Sequence, residues 1–228
     1  SGDVFSRVDA AVGSGQEVVY VSLGTALTGS HSEFGWSGTA GSAMTGKELC
    51  QAVYRAVFAE LASTKLMNPA PLIVVSTGVQ PDALEGIQVP DNGICAPSLP
   101  QVELLRRARP VLFVTHGGQN SFMESLTVGT PMLVCPGFGD QLATAAKAEQ
   151  MGLGLKVDRP KKQEDGSGEV ISNYEAAIAQ GLQEMLGTER SKFASAAQSA
   201  MKELEQAGGT ERAAQLCLEV AEAGRARS

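Results

Sequence analysis

The chain has 228 residues, 43% of them apolar, enough for a sizeable core, which excludes a chain disordered over most of its length. Its net charge is −7, with acids and bases interleaved and no basic block, so it lacks the cationic face that nucleic acid requires. A small anionic ligand stays open, because a few backbone N–H groups suffice to hold one.

The opening Ser1-Gly2-Asp3 carries neither a basic segment nor an apolar one, and so does not read as a signal peptide. The chain does not begin with Met and is expected to be processed or cut from something longer. Residues 17–22 read as a buried strand ending at Leu23, Gly24 and Thr25, followed by a Gly-, Ser- and Thr-rich loop over 26–46. Thr45 and Glu48 make a capping-box pattern opening a helix to about Ser63, with Leu49, Val53, Val57 and Leu61 on one face. Strands are predicted at 72–76, 93–96, 111–115, 131–135 and 154–157. Helices are predicted between them at 101–107, 118–128 and 140–151. A charged loop over 161–168 leads to three helical stretches, 172–186, 189–206 and 210–223. The first of these has a second capping-box pattern, Ser172 with Glu175.

Strand–helix alternation with fully apolar strands predicts an α/β, Rossmann-like three-layer domain on a six-stranded parallel sheet covered on both faces. No apolar run approaches the ~20 residues of a membrane span. The four cysteines, at 50, 95, 135 and 217, form no Cys-x-x-Cys pair. They read as reduced thiols of a cytoplasmic protein, with no zinc site among them.

Ligands on such sheets bind beyond the carboxyl ends of the strands. Three segments fall there: Gly24-Thr25, 116–121 and 137–141. Two glycines after a strand let backbone approach a ligand, and the first-turn N–H groups of the next helix favour an anion. His116, Asn120 and Ser121 can add hydrogen bonds, which suits a diphosphate. Glu124, one helical turn beyond Asn120, suits a pair of ribose hydroxyls instead. Asp140 reads either as a helix N-cap or, with Gln141, as a partner for sugar hydroxyls.

Together, Val21-Ser-Leu-Gly-Thr25, Pro100-Gln101, His116-Gly-Gly-x-Asn120-Ser121-x-x-Glu124, Gly129-x-Pro131, Pro136-x-x-x-Asp140-Gln141 and Gly152-x-Gly154 resemble the nucleotide-sugar-binding half of the UDP-glycosyltransferase superfamily, enzymes of the GT-B fold. The resemblance implies that His116, Asn120, Ser121 and the Gly118 backbone contact the donor diphosphate, with Gly24 and Thr25 bordering it. It implies that Glu124 holds the ribose, Gln101 and the backbone near Ser98 border the uracil, and Asp140 and Gln141 hold the sugar, with glucose favoured. It implies no cofactor beyond a UDP-sugar co-substrate, no metal, and inverting transfer to a small lipophilic acceptor.

The sequence departs from that pattern in three places. Ser98 stands where many relatives place a Trp that stacks on the base, which leaves uridine and thymidine both open. Thr144 stands where many have Asn. The 26–46 loop, with His31, Phe34 and Trp36, is longer than usual and reads as a flap beside the donor or, the favoured reading, as a segment of no functional consequence. The acceptor-binding domain, which supplies the general base, is expected to be missing, so 1–228 reads as one donor-binding domain with no catalytic residue of its own. It is expected to be inactive alone, and the apolar face of its last helix (Ala213, Leu216, Leu218, Val220) to lie partly bare or packed on its own domain. The alternatives are a stand-alone nucleotide-sugar-binding subunit completed by a separate acceptor-binding chain, and a sugar-nucleotide epimerase of the same fold.

Overall fold

A computed structural model of the chain describes residues 2–162 and 169–225. Its elements run α1 (Gly2–Gly13), β1 (Val18–Ser22), α2 (Gly24–Leu27), α3 (Gly46–Leu61), β2 (Leu72–Ser76), β3 (Gly93–Ala96), α4 (Gln101–Ala108), β4 (Leu112–Thr115), α5 (Gln119–Val128), β5 (Met132–Val134), α6 (Gln141–Gln150), β6 (Gly154–Lys156), α7 (Val170–Leu186), α8 (Arg190–Gln206) and α9 (Gly209–Arg225). The predicted charged loop falls outside the described residues from position 163 onward.

The six strands form one sheet in the order β3-β2-β1-β4-β5-β6, every pair parallel. Side chains alternate along each strand, so one chain segment feeds two cores. Val19, Val21, Ile73, Val75, Leu112 and Val114 meet α3 and α7 on one face. Val18, Tyr20, Leu72, Val74 and Phe113 meet α1, α4, α5 and α6 on the other. The strand order turns back between β1 and β4. That reversal opens a crevice beyond their carboxyl ends, because the loops leaving the two strands diverge to opposite faces.

The first capping box forms as the sequence predicts: Glu48 N–H donates to Thr45 Oγ1 (3.2 Å) and Thr45 N–H to Glu48 Oε2 (2.7 Å). The second does not form. α7 starts at Val170, so Ser172 already lies inside the helix, and Glu175 pairs with Arg55 at 2.6 Å. Val170 and Ile171 pack against the core there, and their burial extends the helix past its polar start signal. Helix α1 is new relative to the sequence reading, although Val4, Val8 and Ala11 bury one face at helical spacing.

The long loop after α2 is packed into the domain at its core and at the turn after β5. Trp36 and Met44 are buried in the core of the α3 face. Arg159, buried, donates to the carbonyls of Gly137 (3.1 Å), Gly38 (3.1 Å) and Met44, so one guanidinium fastens the loop to the turn that follows β5. His31 stacks on Phe34 (centroids 3.6 Å apart), and Phe34 lies against Phe138 (4.3 Å). On α9, Leu216, Leu218 and Val220 are exposed, which matches the partly bare face.

Candidate functional site

A cavity of about 470 Å³ occupies the crevice between β1 and β4. β1 brings Tyr20, Ser22 and Gly24, with Thr25 and Thr28 just beyond. β2 brings Ser76, Gly78 and Val79. The segment after β3 brings Pro97, Ser98, Leu99 and Gln101, and the β4–α5 junction brings His116 and residues 118–121 with Glu124. Every predicted donor-site residue lines this cavity except Asp140 and Gln141.

His116 is the centre of the arrangement. It leaves β4 and is buried, with Nδ1 lacking a hydrogen-bond partner. Burial lowers its pKa from 6.5 to about 4, against the opposing pulls of the Ser22 backbone and the Asp140 charge. The ring is therefore neutral at pH 7 and donates from one nitrogen only. An anion brought against it would favour the protonated form and raise the pKa again. The ring is wedged between two glycines: a Cβ on Gly24 would lie 2.4 Å from Nε2, and one on Gly118 would lie 2.5 Å from it.

The N-terminus of α5 is open. Gly118 offers no side-chain cap, and Phe122 is the first of the helix to donate to a backbone carbonyl, that of Gly118 (3.0 Å). The N–H groups of Gln119, Asn120 and Ser121 find no backbone carbonyl among the described residues. Open amides at the positive end of a helix dipole make a site for phosphate.

Gln101, at the start of α4, ties the far wall together. Its Nε2 donates to Glu124 Oε2 (2.7 Å) and Ser121 Oγ (3.0 Å), and its Oε1 accepts from Tyr20 Oη (3.2 Å). Burial pushes the Tyr20 phenol up to about 12. The Ser22 and Ser76 hydroxyls oppose that shift and the Glu124 charge adds to it. Ser98 is exposed at the rim beside Pro97, and Val79, 75% exposed, is the apolar surface nearby. Among the described residues, Tyr20 in the floor and His116 bring the only aromatic rings to the cavity lining, and neither stands at the rim by Ser98.

Asp140 and Gln141 separate in role. Asp140 is exposed and precedes α6, but its side chain makes no capping hydrogen bond, so the N-cap reading fails. Gln141 is buried, and its Oε1 accepts from the N–H groups of Gly137 (2.8 Å) and Phe138 (3.2 Å). That oxygen shapes the turn after β5, which leaves only the Nε2 group for a ligand. Thr144 donates to the Asp140 carbonyl (3.1 Å) and belongs to the same turn.

Tyr20, Thr28, Ser76 and Val79 line the cavity without having been singled out from the sequence. Tyr20 sits inside a β-branched run and reads there as core. Only the period-2 alternation it shares with Ser22 marks it as facing the α4 side and the crevice mouth.

Among the described residues no group of three or more His, Cys, Asp or Glu side chains is placed to hold a metal ion. No described helix is long and apolar enough to cross a membrane. The four cysteines are free, and burial raises the thiols of Cys50 and Cys135.

Fold and site together define a parallel α/β sheet with an open helix N-terminus at its switch point. The chain belongs to the UDP-glucoronosyl and UDP-glucosyl transferase family, whose model matches residues 54–170. It is 36% identical over 147 residues to the uncharacterized UDP-glucosyltransferase YojK of Bacillus subtilis, covering 64% of this chain and 33% of that protein. Among solved structures it resembles the glycotransferase of kitacinnamycin, with a TM-score of 0.62 and 25% identity, over 89% of this chain and 42% of the other. It also shares its fold with Os79 of O. sativa, solved in complex with UDP and deoxynivalenol-3-glucoside. The TM-score there is 0.55 at 20% identity, over 87% of this chain and 39% of the other. The chain spans about a third of the length of the curated relatives it matches.

Proposed function

We propose that the chain is the donor-binding domain of an inverting glycosyltransferase that takes a nucleotide-diphosphate hexose, UDP-glucose first among them. The observation that carries this reading is the convergence of the neutral, buried His116, the open first turn of α5 and Glu124 on one cavity. The pyrophosphate would lie against the amides of residues 118–121 with a hydrogen bond from His116, and the ribose hydroxyls against Glu124. Asp140, near enough for its charge to act on His116, would meet the sugar, with Gln141 adding its Nε2. Relatives named as UDP-glucosyltransferases support the donor class.

In this scheme the sugar passes to a hydroxyl of a small lipophilic acceptor held by a separate domain, which also supplies the general base. The acceptor oxygen bonds to the anomeric carbon, its proton goes to that base, and the bond to the β-phosphate oxygen breaks with its electron pair leaving on UDP. His116 and the α5 amides stabilise the charge that develops there, which is the role of preorganised donors. No step calls for a metal or a further cofactor. Residues 1–228 alone would bind donor without turning it over. The free cysteines suit a cytoplasmic setting.

Calorimetric titration of the chain with UDP, UDP-glucose and TDP tests the reading. Binding of UDP and UDP-glucose in the micromolar range supports it, and the UDP-to-TDP ratio reports on a base site without a stacking ring. No heat with any of the three defeats it.

A further inference from the structure

A line of polar contacts runs under the cavity floor and begins inside a strand. Tyr20 is fully buried, its ring stacked on Phe113 with centroids 4.9 Å apart, and nothing about that packing needs a hydroxyl. Yet the hydroxyl reaches Gln101 Oε1 at 3.2 Å, because α4 begins beside the carboxyl end of β1. The other end of the same amide donates to Glu124 Oε2 and to Ser121 Oγ.

An amide can stand either way round, and its partners decide which. Turned over, the Gln101 oxygen would face the Glu124 carboxylate, acceptor against acceptor. The carboxylate thus sets which way round the amide stands, and the phenol, donating to the Oε1 turned toward it, anchors the amide there. Two consequences follow at the cavity surface. Glu124 has one oxygen occupied, which leaves Oε1 as the acceptor for a ligand. Ser121, accepting from Gln101, keeps its own proton to donate, as a phosphate oxygen requires.

We propose that Tyr20 is a positioning residue for nucleotide recognition: through Gln101 it fixes Glu124 as a ribose acceptor and Ser121 as a phosphate donor. The inference rests on the donor-site reading above and adds to it a residue of the cavity floor that acts through its neighbour.

The test is Tyr20→Phe, titrated with UDP and with 2′-deoxy-UDP beside the unsubstituted chain. The ring is kept, so the melting temperature should change little. UDP should bind about two- to tenfold more weakly, the range of one hydrogen bond. The preference for UDP over 2′-deoxy-UDP should shrink, an effect that loss of packing alone would not produce. Gln101→Leu should shrink the preference equally, and Tyr20→Phe should add nothing on top of it. An unchanged preference in Tyr20→Phe, or effects that simply add in the double variant, would overturn the proposal. If Tyr20→Phe does not fold, the Tyr20 hydroxyl proton of the unsubstituted chain decides. A slowly exchanging phenol proton close to the Gln101 side chain supports the inference, and one that exchanges rapidly with water overturns it. An unsubstituted chain that fails to bind UDP sinks the donor reading itself. One that binds UDP while Tyr20→Phe keeps the same preference sinks this inference alone.

Discussion

The imidazole of His116 occupies the space a side chain on Gly24 would need: a Cβ there would lie 2.4 Å from both Cε1 and Nε2. Gly24 also has φ +73, where other residues are strained by ~1–2 kcal/mol. Gly118 presses on the ring from the other side at 2.5 Å but has an ordinary φ of −60. The two positions therefore separate strain from collision. Gly118→Ala should weaken UDP binding at least tenfold with a small loss of stability. Gly24→Ala should do the same and lose stability by about 2 kcal/mol more. Calorimetry and thermal denaturation on both variants check this.

Stability should depend on pH through His116. Its folded pKa is about 4 against 6.5 when unfolded, so between those values the unfolded chain binds a proton that the folded chain refuses. Stability therefore rises with pH across this window. The penalty begins as pH falls through 6.5 and is complete below 4, at roughly 3 kcal/mol. His116→Gln should lose this component, measured as the difference in unfolding free energy between pH 7 and pH 4 for the two proteins.

Bound diphosphate should draw the His116 pKa back up. UDP binding near pH 5 should then take up a proton, whereas binding at pH 8 should take up much less. Titrations in buffers of different ionisation enthalpy read this directly, and equal proton uptake at the two pH values would remove the ring from contact with the anion.

The turn after β5 predicts opposite phenotypes for neighbours. Gln141→Leu deprives the Gly137 and Phe138 amides of their acceptor and should cost roughly 1–3 kcal/mol of stability. Asp140→Asn, at an exposed side chain with no capping bond, should leave the melting temperature in place and weaken UDP-glucose relative to UDP.

Much of this site was legible because its main motif is local. A strand, two glycines and a helix follow one another over 112–128, so residue order alone sets His116, the open amides and Glu124 in line. The parallel sheet was legible for a similar reason: apolar runs such as Leu72–Ser76 carry no polar face to suggest anything else. Contacts made across the fold were not legible. Tyr20 reads as core until α4 places Gln101 over its hydroxyl, a contact spanning 81 residues. Gln141 reads as a side chain wholly free for a ligand until the chain folds back at Gly137 and takes its oxygen, leaving Nε2. Arg159 reads as one charge in a polar segment, yet 121 residues separate it from the Gly38 carbonyl that it binds.

Arg159 yields a further prediction. Its planar fork reaches three backbone carbonyls that no lysine ammonium could meet together. Arg159→Lys should therefore destabilise the chain nearly as much as Arg159→Met, by roughly 3 kcal/mol in unfolding experiments. Full rescue by lysine would show that charge alone suffices.

The most direct measurement is a titration of the isotopically labelled chain with UDP, followed by the amide signals and the His116 ring signals. The largest shifts are expected at Gly24, at residues 118–121 and at the His116 imidazole, with the amides of α3 and α7 unmoved. Shifts centred on other elements, or none at saturating UDP, would contradict a pyrophosphate held at the junction of β4 and α5.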